Sequence, residues 1–406
     1  MTVGESTTAS PESLYRSPNA LAPHYTQFRV AERLLLTGHS HQAWPDVGLE
    51  AQRHAWLDAA DLVDEKWERA FAMADRVRRG FGALLGEPDA SIALGANTHE
   101  LVVRFLSALP LAQRPRIVTT DGEFHTLRRQ LDRLAEEGIE VIRVPTRPAD
   151  QVAERLAKMV TDRTAAVFVS AVLYENAHIV PNLGIALDAC RRFGAELLVD
   201  VYHALNVVPF SVMAERLTEA YIVGGGYKYC QLGEGNAFLR IPKDCALRPV
   251  VTGWFGEFHL LSTPSAGGAV PYGSGHARFA GATYDPTSHY RAAAVFDFFE
   301  RLGLTAALMR EVSQHQIGVL AARFDALDID PKVLRRDRRV SLEKVGGFLS
   351  LHTAAAESIC RALRQRGVWT DYRGQTLRLG PAPYLSDRQL EEAVGQIHQA
   401  VVATAS

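Results

Sequence analysis

Cysteine is scarce, and no pair stands at metal-ligating or redox spacing: Cys190, Cys230, Cys245 and Cys360 are scattered along 406 residues. That scatter argues against a zinc ribbon or a disulfide scaffold and points to reduced thiols in a cytosolic protein. No stretch approaches the ~20 apolar residues of a membrane helix. Residues 1–12 hold neither a basic region nor an apolar run, so no secretory signal is expected and the expected location is the cytoplasm. An excess of one charge is lacking too. Forty-four Lys and Arg stand against 46 Asp and Glu, a net charge of −2 that offers neither nucleic acid nor a membrane surface a general attraction. Internal repeats and low-complexity tracts are absent. What remains, 47% hydrophobic and 22% charged residues, suits a globular chain long enough for a large core and two lobes.

In chain order, residues 1–20 read as a flexible lead. Leu34–Pro45 is a short apolar run that breaks into a polar loop carrying His39, Ser40, His41 and Trp44. Two histidines at i, i+2 need further ligands to hold a metal, and none lies at ligand spacing, so a pocket-lining or capping loop is expected and no metal. From Leu49 to Leu85 apolar residues recur at three- and four-residue steps, a helical pattern closed by Gly86-Glu-Pro-Asp89. Short Val/Ile-rich strands are then expected at 91–94, 116–119, 141–144, 165–170, 196–199, 221–223 and 237–241. Helical patterns fall between them at 100–109, 126–137, 149–159 and 184–193. This alternation predicts an α/β fold with a mostly parallel, seven-stranded sheet covered by helices. A Gly/Pro/Ser-rich stretch at 263–287, with Arg278 and Thr283, is long enough to be functional. A helix at 288–301 then leads to a smaller α+β C-terminal lobe: helices 305–327, 354–366 and 386–403, a strand at 348–351, and a hairpin-like pair at 368–372 and 376–379. Arg335–Arg339 reads as a solvated basic face. The expected division is an arm at 1–48, a large domain at 49–287, and a linking helix with a small domain at 288–406.

In sheets of this kind ligands gather at the carboxyl ends of the strands. Those ends carry polar residues: Asn97-Thr98, Asp121–Thr126, Tyr174–Asn176, Asp200–His203 and Tyr227-Lys228. The apolar strand Tyr221-Ile-Val runs through three glycines into Tyr227 and Lys228. A lysine placed there loses hydration and its pKa falls, which favours the neutral, nucleophilic amine. Asp200 ends another apolar strand, and a Lys–Asp pair at neighbouring strand ends suits pyridoxal phosphate: the amine takes the aldehyde and the carboxylate keeps the pyridine nitrogen protonated. Gly95-Ala-Asn97-Thr98 opens a helix, which fits either a phosphate at a helix N-terminus or a simple N-cap. Phe124 can stack on the ring. His203 can hydrogen-bond Asp200 or the ring hydroxyl, or be a structural histidine. Arg378 is a lone cation in an apolar strand, either a carboxylate receptor or an edge residue facing solvent.

Taken together these residues resemble fold-type I pyridoxal-phosphate enzymes of the class V aminotransferase group, and kynureninases within it. The resemblance runs from about residue 34 to the C-terminus. It is carried by Gly38-His-Ser40 with Pro45, Thr98, Phe124 with Thr126, Asp200-Val-Tyr-His203, Tyr227-Lys228, Gly253-Trp-Phe-Gly256, Thr283 and Arg378-Leu-Gly-Pro-Ala-Pro383. It implies that Lys228 is the Schiff-base lysine, that Asp200 pairs the pyridinium with His203 beside it, and that Phe124 stacks on the ring. Asn97, Thr98, Tyr227 and Trp254 would hold the phosphate, and Arg378 the substrate carboxylate, with His39, Ser40 and His41 bordering the substrate. It further implies a homodimer in which Trp254 and Thr283 serve the other subunit's site. The implied reaction is hydrolytic Cβ–Cγ cleavage of kynurenine, 3-hydroxykynurenine or a related γ-keto amino acid to an aromatic acid and alanine, with Tyr227 as proton donor.

Three segments depart from that family. Gly-Asn-Ser-Leu-Gly becomes Gly38-His-Ser-His-Gln42, and Gly-Trp-x-Gly-His becomes Gly253-Trp-Phe-Gly-Glu257. Phe-Pro-Ser/Thr-Asp becomes Phe124-His-Thr-Leu127, so a second acidic residue near the cofactor is expected to be missing. The departures leave open a transaminase, epimerase or lyase acting on another amino acid. A cofactor-binding protein without catalysis has little use for Arg378, and a desulfurase would need a reactive cysteine on a mobile loop, which neither Cys230 nor Cys360 supplies.

Overall fold

The structure, a computed structural model, describes residues 8–261 and 268–405. Seven strands build the central sheet: β1 (Ser91–Gly95), β2 (Arg116–Thr120), β3 (Glu140–Val144), β4 (Thr164–Ser170), β5 (Glu196–Asp200), β6 (Tyr221–Gly225) and β7 (Ala237–Ile241). Their order across the sheet is β1-β7-β6-β5-β4-β2-β3. All seven coincide with the expected segments to within two residues. Strands β2 to β6 pair in parallel, whereas β7 runs antiparallel to both of its neighbours. The reversal follows from the link before it, since residues 226–236 hold no crossover helix and β7 folds straight back.

Alternation along the strands explains how both faces are covered. Phe168, Leu198 and Val223 face Phe105, Leu106 and Leu131 from the helices Thr98–Ala108 and His125–Glu136. Their neighbours Val167, Val169, Leu197, Val199 and Ile222 face the opposite cluster with Val77, Phe81, Leu156 and Leu187. Every residue of β4, β6 and β7 is buried as a result. The helical pattern expected across 49–85 is two helices, Val47–Leu62 and Lys66–Leu84, separated at Val63 with φ +53°. The apolar spacing continues across that turn, so periodicity does not reveal it.

From residue 8 onward the expected flexible lead is docked. Ser10 caps the helix Pro11–Tyr15, Leu14 is buried, and the Asn19 amide donates to the Leu14 and Pro383 carbonyls. Residues 1–7 lie outside the described residues, as does part of the stretch 263–287. In the C-terminal lobe β8 (Leu349–His352), β9 (Asp371–Arg373) and β10 (Thr376–Leu379) form an antiparallel sheet in the order β9-β10-β8. The hairpin is therefore shorter than expected. Val368–Trp369 instead pairs in parallel with Leu34–Leu35, and Thr37 bridges Gly380, which carries the loop at 38–42 towards the end of the large sheet. The Arg335–Arg339 segment is partly neutralised: Arg336 and Arg338 share Asp325, and Arg339 pairs with Asp337. No helix among the described residues is long and apolar enough to cross a membrane.

Candidate active site

The carboxyl ends of β1, β2, β4, β5 and β6 meet around a cavity of about 290 Å³. Asn97, Thr98, Phe124, Asp200, His203, Tyr227 and Lys228 all line it, joined by Thr126, Ser170, Tyr174, Tyr202 and Glu234. Close approach explains the glycine run before Lys228. A Cβ on Gly225 would run into the Tyr202 hydroxyl, and one on Gly226 into Leu232. Lys228 is buried, with Nζ 2.7 Å from His203 Nε2 and 4.6 Å from the centre of the Tyr202 ring. Burial lowers its pKa to about 7, with the Asp200 carboxylate pulling the other way and the Arg378 and Arg373 guanidiniums adding to the fall. Asp200 is raised by desolvation, against the Tyr202 N–H it accepts at 2.8 Å and against Lys228.

His203 was expected beside Asp200 or a ring hydroxyl; it faces the Lys228 amine instead. Burial, then the charge of Lys228, holds its pKa well below the ordinary value, so the imidazole is neutral. Its Nδ1 is buried without a partner, a polar atom left for a ligand to satisfy. Asn97 caps the helix Thr98–Ala108 by accepting from the Glu100 N–H at 3.0 Å, so the first free amides of that helix open on the cavity. Phe124 precedes the next helix and meets Tyr174 edge-on, 5.6 Å between ring centres. Burial and Asp200 raise the Tyr227 pKa, which keeps its phenol protonated beside the amine.

The carboxylate-binding side differs from expectation. Arg378 neither faces solvent nor lies open to the cavity. Asp371 fills its fork, accepting from Nε at 2.9 Å and Nη2 at 2.6 Å, while Nη1 donates to the Tyr174 carbonyl at 2.7 Å. His39 is fully buried and does not border the cavity; its Nε2 lies 2.7 Å from Asp371. Ser40 donates to the Thr37 carbonyl at 3.1 Å, and His41 stacks on Tyr227 with ring centres 5.1 Å apart; neither lines the cavity. Trp254 and Thr283 are exposed and line no part of this chain's own cavity. The absence of a second acidic residue is also corrected, because Glu123 is buried behind Ser170 with its carboxyl 2.6 Å from the serine hydroxyl. Glu123 and Tyr202 stand within the strand-end stretches read from the sequence, and Ser170 closes an expected strand without being singled out. Asp371 and Glu234 carried no sequence signal. None of the four cysteines lines the cavity.

A family profile for the kynureninase C-terminal domain matches residues 334–397. The chain is 23% identical over 372 residues to a kynureninase of Bacillus cereus, covering 86% of this chain and 80% of the relative. Against a kynureninase of Geobacillus thermodenitrificans it is 24% identical over 393 residues, covering 91% and 84%. An isopenicillin N epimerase of Streptomyces clavuligerus is 25% identical over 364 residues, covering 82% and 86%. Among solved structures, a C-DES variant with glycine covalently linked to its PLP cofactor matches with a TM-score of 0.80 at 17% identity, covering 93% and 98%. An apo cysteine desulfurase of Thermococcus onnurineus matches with a TM-score of 0.78 at 16% identity, covering 96% and 99%. In sequence the chain is kynureninase-like, and its architecture is that of the fold-type I pyridoxal-phosphate enzymes.

Proposed function

We propose that this chain binds pyridoxal 5'-phosphate and cleaves the Cβ–Cγ bond of kynurenine, 3-hydroxykynurenine or a related γ-keto amino acid with water, giving an aromatic acid and alanine. The observation that carries the reading is the buried Lys228 amine, neutral enough near pH 7 to act as a nucleophile, in one cavity with Asp200 and the Asn97–Thr98 helix end. When bound, the cofactor supplies a ring that takes up electrons from the substrate's α-carbon. Lys228 would hold the aldehyde, and its amine is placed to take the substrate's α-proton. Asp200 keeps a proton on the ring nitrogen, and the neutral His203 steadies the lysine amine through Nε2. The amides after Asn97 and the Thr98 hydroxyl hold the phosphate, Phe124 covers the ring, and Tyr227 returns a proton.

Arg378 would take the substrate carboxylate only on the Nη1 and Nη2 N–H groups not used by Asp371 and the Tyr174 carbonyl, which requires the cavity to extend to it, and His39 acts on that recognition only through Asp371. His41 acts on the site through its stack on Tyr227, and Ser40 holds the loop by its bond to the Thr37 carbonyl. Trp254 and Thr283 complete the site of a second copy in a homodimer; both are exposed and line no part of this chain's own cavity, which supports that reading. A second reading keeps the cofactor but changes the outcome to transamination, epimerisation or elimination on another amino acid. Identity to the isopenicillin N epimerase and the Glu257 departure favour it.

The test is the absorbance spectrum of the purified protein, before and after adding kynurenine and 3-hydroxykynurenine. The proposal expects a visible band that is lost in Lys228→Ala, and release of alanine. A colourless protein that cannot be loaded with pyridoxal phosphate refutes the cofactor reading. A spectral response without alanine selects the second reading.

A further inference from the structure

Glu123 stands immediately before Phe124, at the turn that follows β2. Its carboxyl is buried, and three donors from the chain converge on it. Thr120 Oγ1 lies 2.6 Å from Oε1, Ser170 Oγ lies 2.6 Å from Oε2, and the Ser170 N–H donates to Oε1 at 3.2 Å. No Lys or Arg forms an ion pair with it among the described residues. Buried carboxyls of this kind are costly to keep unless something depends on them. Ser170 ends β4, and the parallel register sets it directly beside Asp200 at the end of β5. Side chains paired in this way point to the same face of the sheet, and both residues line the cavity. Ser170 and Asp200 therefore stand side by side on the cavity wall, with the Glu123 carboxyl directly behind the serine hydroxyl.

We propose that Glu123 is a positioning residue of the cofactor site: through the Ser170 hydroxyl it decides whether the cavity floor beside Asp200 offers a hydrogen-bond acceptor or a donor. The inference rests on the pyridoxal-phosphate reading and deepens it. When Glu123 is ionised it can only accept, so the Ser170 hydroxyl proton must point at it and the serine lone pairs face the cavity. That arrangement, with Asp200 alongside, favours a protonated ring nitrogen. When Glu123 holds a proton it can donate to Ser170 Oγ, which releases the serine hydroxyl to donate towards the cavity or Asp200 and weakens the hold on a ring cation. Asp200 is the charged group on the neighbouring strand that acts on Glu123. Burial and, to a smaller degree, Asp200 push its pKa up to about 7, while Ser170 and Thr120 pull it down. The exchange between the two arrangements is thus centred near pH 7.

The experiment compares wild type with Glu123→Gln, titrating each with pyridoxamine 5'-phosphate, which needs no bond to Lys228. Fluorescence quenching gives the dissociation constant between about pH 5.5 and 8.5, a window placed around the raised Glu123 pKa of about 7. The ligand's own ionisations cancel in the ratio of the two constants. Glutamine imitates the protonated acid, so the ratio is expected to be near one at the acid end. It should rise to roughly 5-fold or more at the alkaline end, about the value of one hydrogen bond. Ser170→Ala should give the same pH-dependent loss, and it stands in for Glu123→Gln should that variant not fold. A ratio that stays constant with pH in the measurable variant means that Glu123 only supports the fold, and overturns the proposal. Failure of the wild type to bind the ligand at all would instead refute the cofactor reading, so the two failures are distinguishable.

Discussion

Replacing Asp371 by alanine should destabilise the protein heavily, because the change strands a buried cation. The Arg378 side chain is 3% exposed and gives Asp371 two charge-assisted hydrogen bonds, at 2.9 and 2.6 Å. Removing one partner of such a pair costs about 3–5 kcal/mol. Asp371 is itself 21% exposed, so water can partly replace it and the lower end applies, about 3 kcal/mol. That is on the order of a hundredfold in the folded-to-unfolded ratio. Urea unfolding followed by tryptophan fluorescence reads it as a fall in midpoint at an unchanged m-value. The double variant Asp371→Ala/Arg378→Leu should recover much of the loss, because the uncompensated charge is gone. The pH dependence has a definite sign. The hydrogen bonds from His39 and Arg378 outweigh burial and hold the Asp371 pKa below the usual carboxylate range. Its contribution is therefore complete above the unfolded value, about 3.9, and is lost as pH falls through the depressed folded value. The gap between wild type and Asp371→Ala should stay constant from neutral pH to about pH 5 and close in stronger acid. A loss under ~1 kcal/mol would mean that the pair behaves like an exposed ion pair, and would refute the reasoning.

Three further outcomes are expected. His39, whose pKa is lowered to about 4 mainly by burial, binds a proton more readily when unfolded, so acidification from 6.5 towards 4 should cost stability. His39→Asn should abolish that part of the acid sensitivity in urea titrations run across the window; an unchanged profile would assign it elsewhere. Asn97→Ala removes the cap on Thr98–Ala108 and should cost about 1 kcal/mol of stability. Under the proposed function it should also weaken pyridoxal-phosphate binding, as read by equilibrium dialysis, and unchanged affinity would move the phosphate away from that helix. Because the pKa of Lys228 is lowered to about 7, the rate of loading apoprotein with pyridoxal phosphate should level off just above that pH. A rate still climbing towards the ordinary lysine value would show that the amine is not desolvated.

The strands were legible because burial on both sheet faces leaves a nearly continuous apolar run, and each run is cut by the polar residues that line the cavity. Asn97, Asp200 and Lys228 could be placed from sequence for the same reason: their positions follow from the local rule that parallel strands end at the ligand. The break at Val63 was hidden because apolar spacing records a face and not the backbone turn that interrupts it. Long-range charge pairing was hidden for a deeper reason. Residue chemistry offered Arg378 to a substrate carboxylate or to solvent, and nothing in an apolar strand reveals that the chain itself supplies a carboxylate. The structure supplies Asp371 from the other strand of the hairpin and backs it with His39, which stands 332 residues away in sequence. The departure at Gly38-His-Ser40, which read as a change facing the substrate, thus acts behind the arginine. A histidine at that place adjusts the partner of Arg378, so its effect on a substrate must travel through how firmly Asp371 holds the fork.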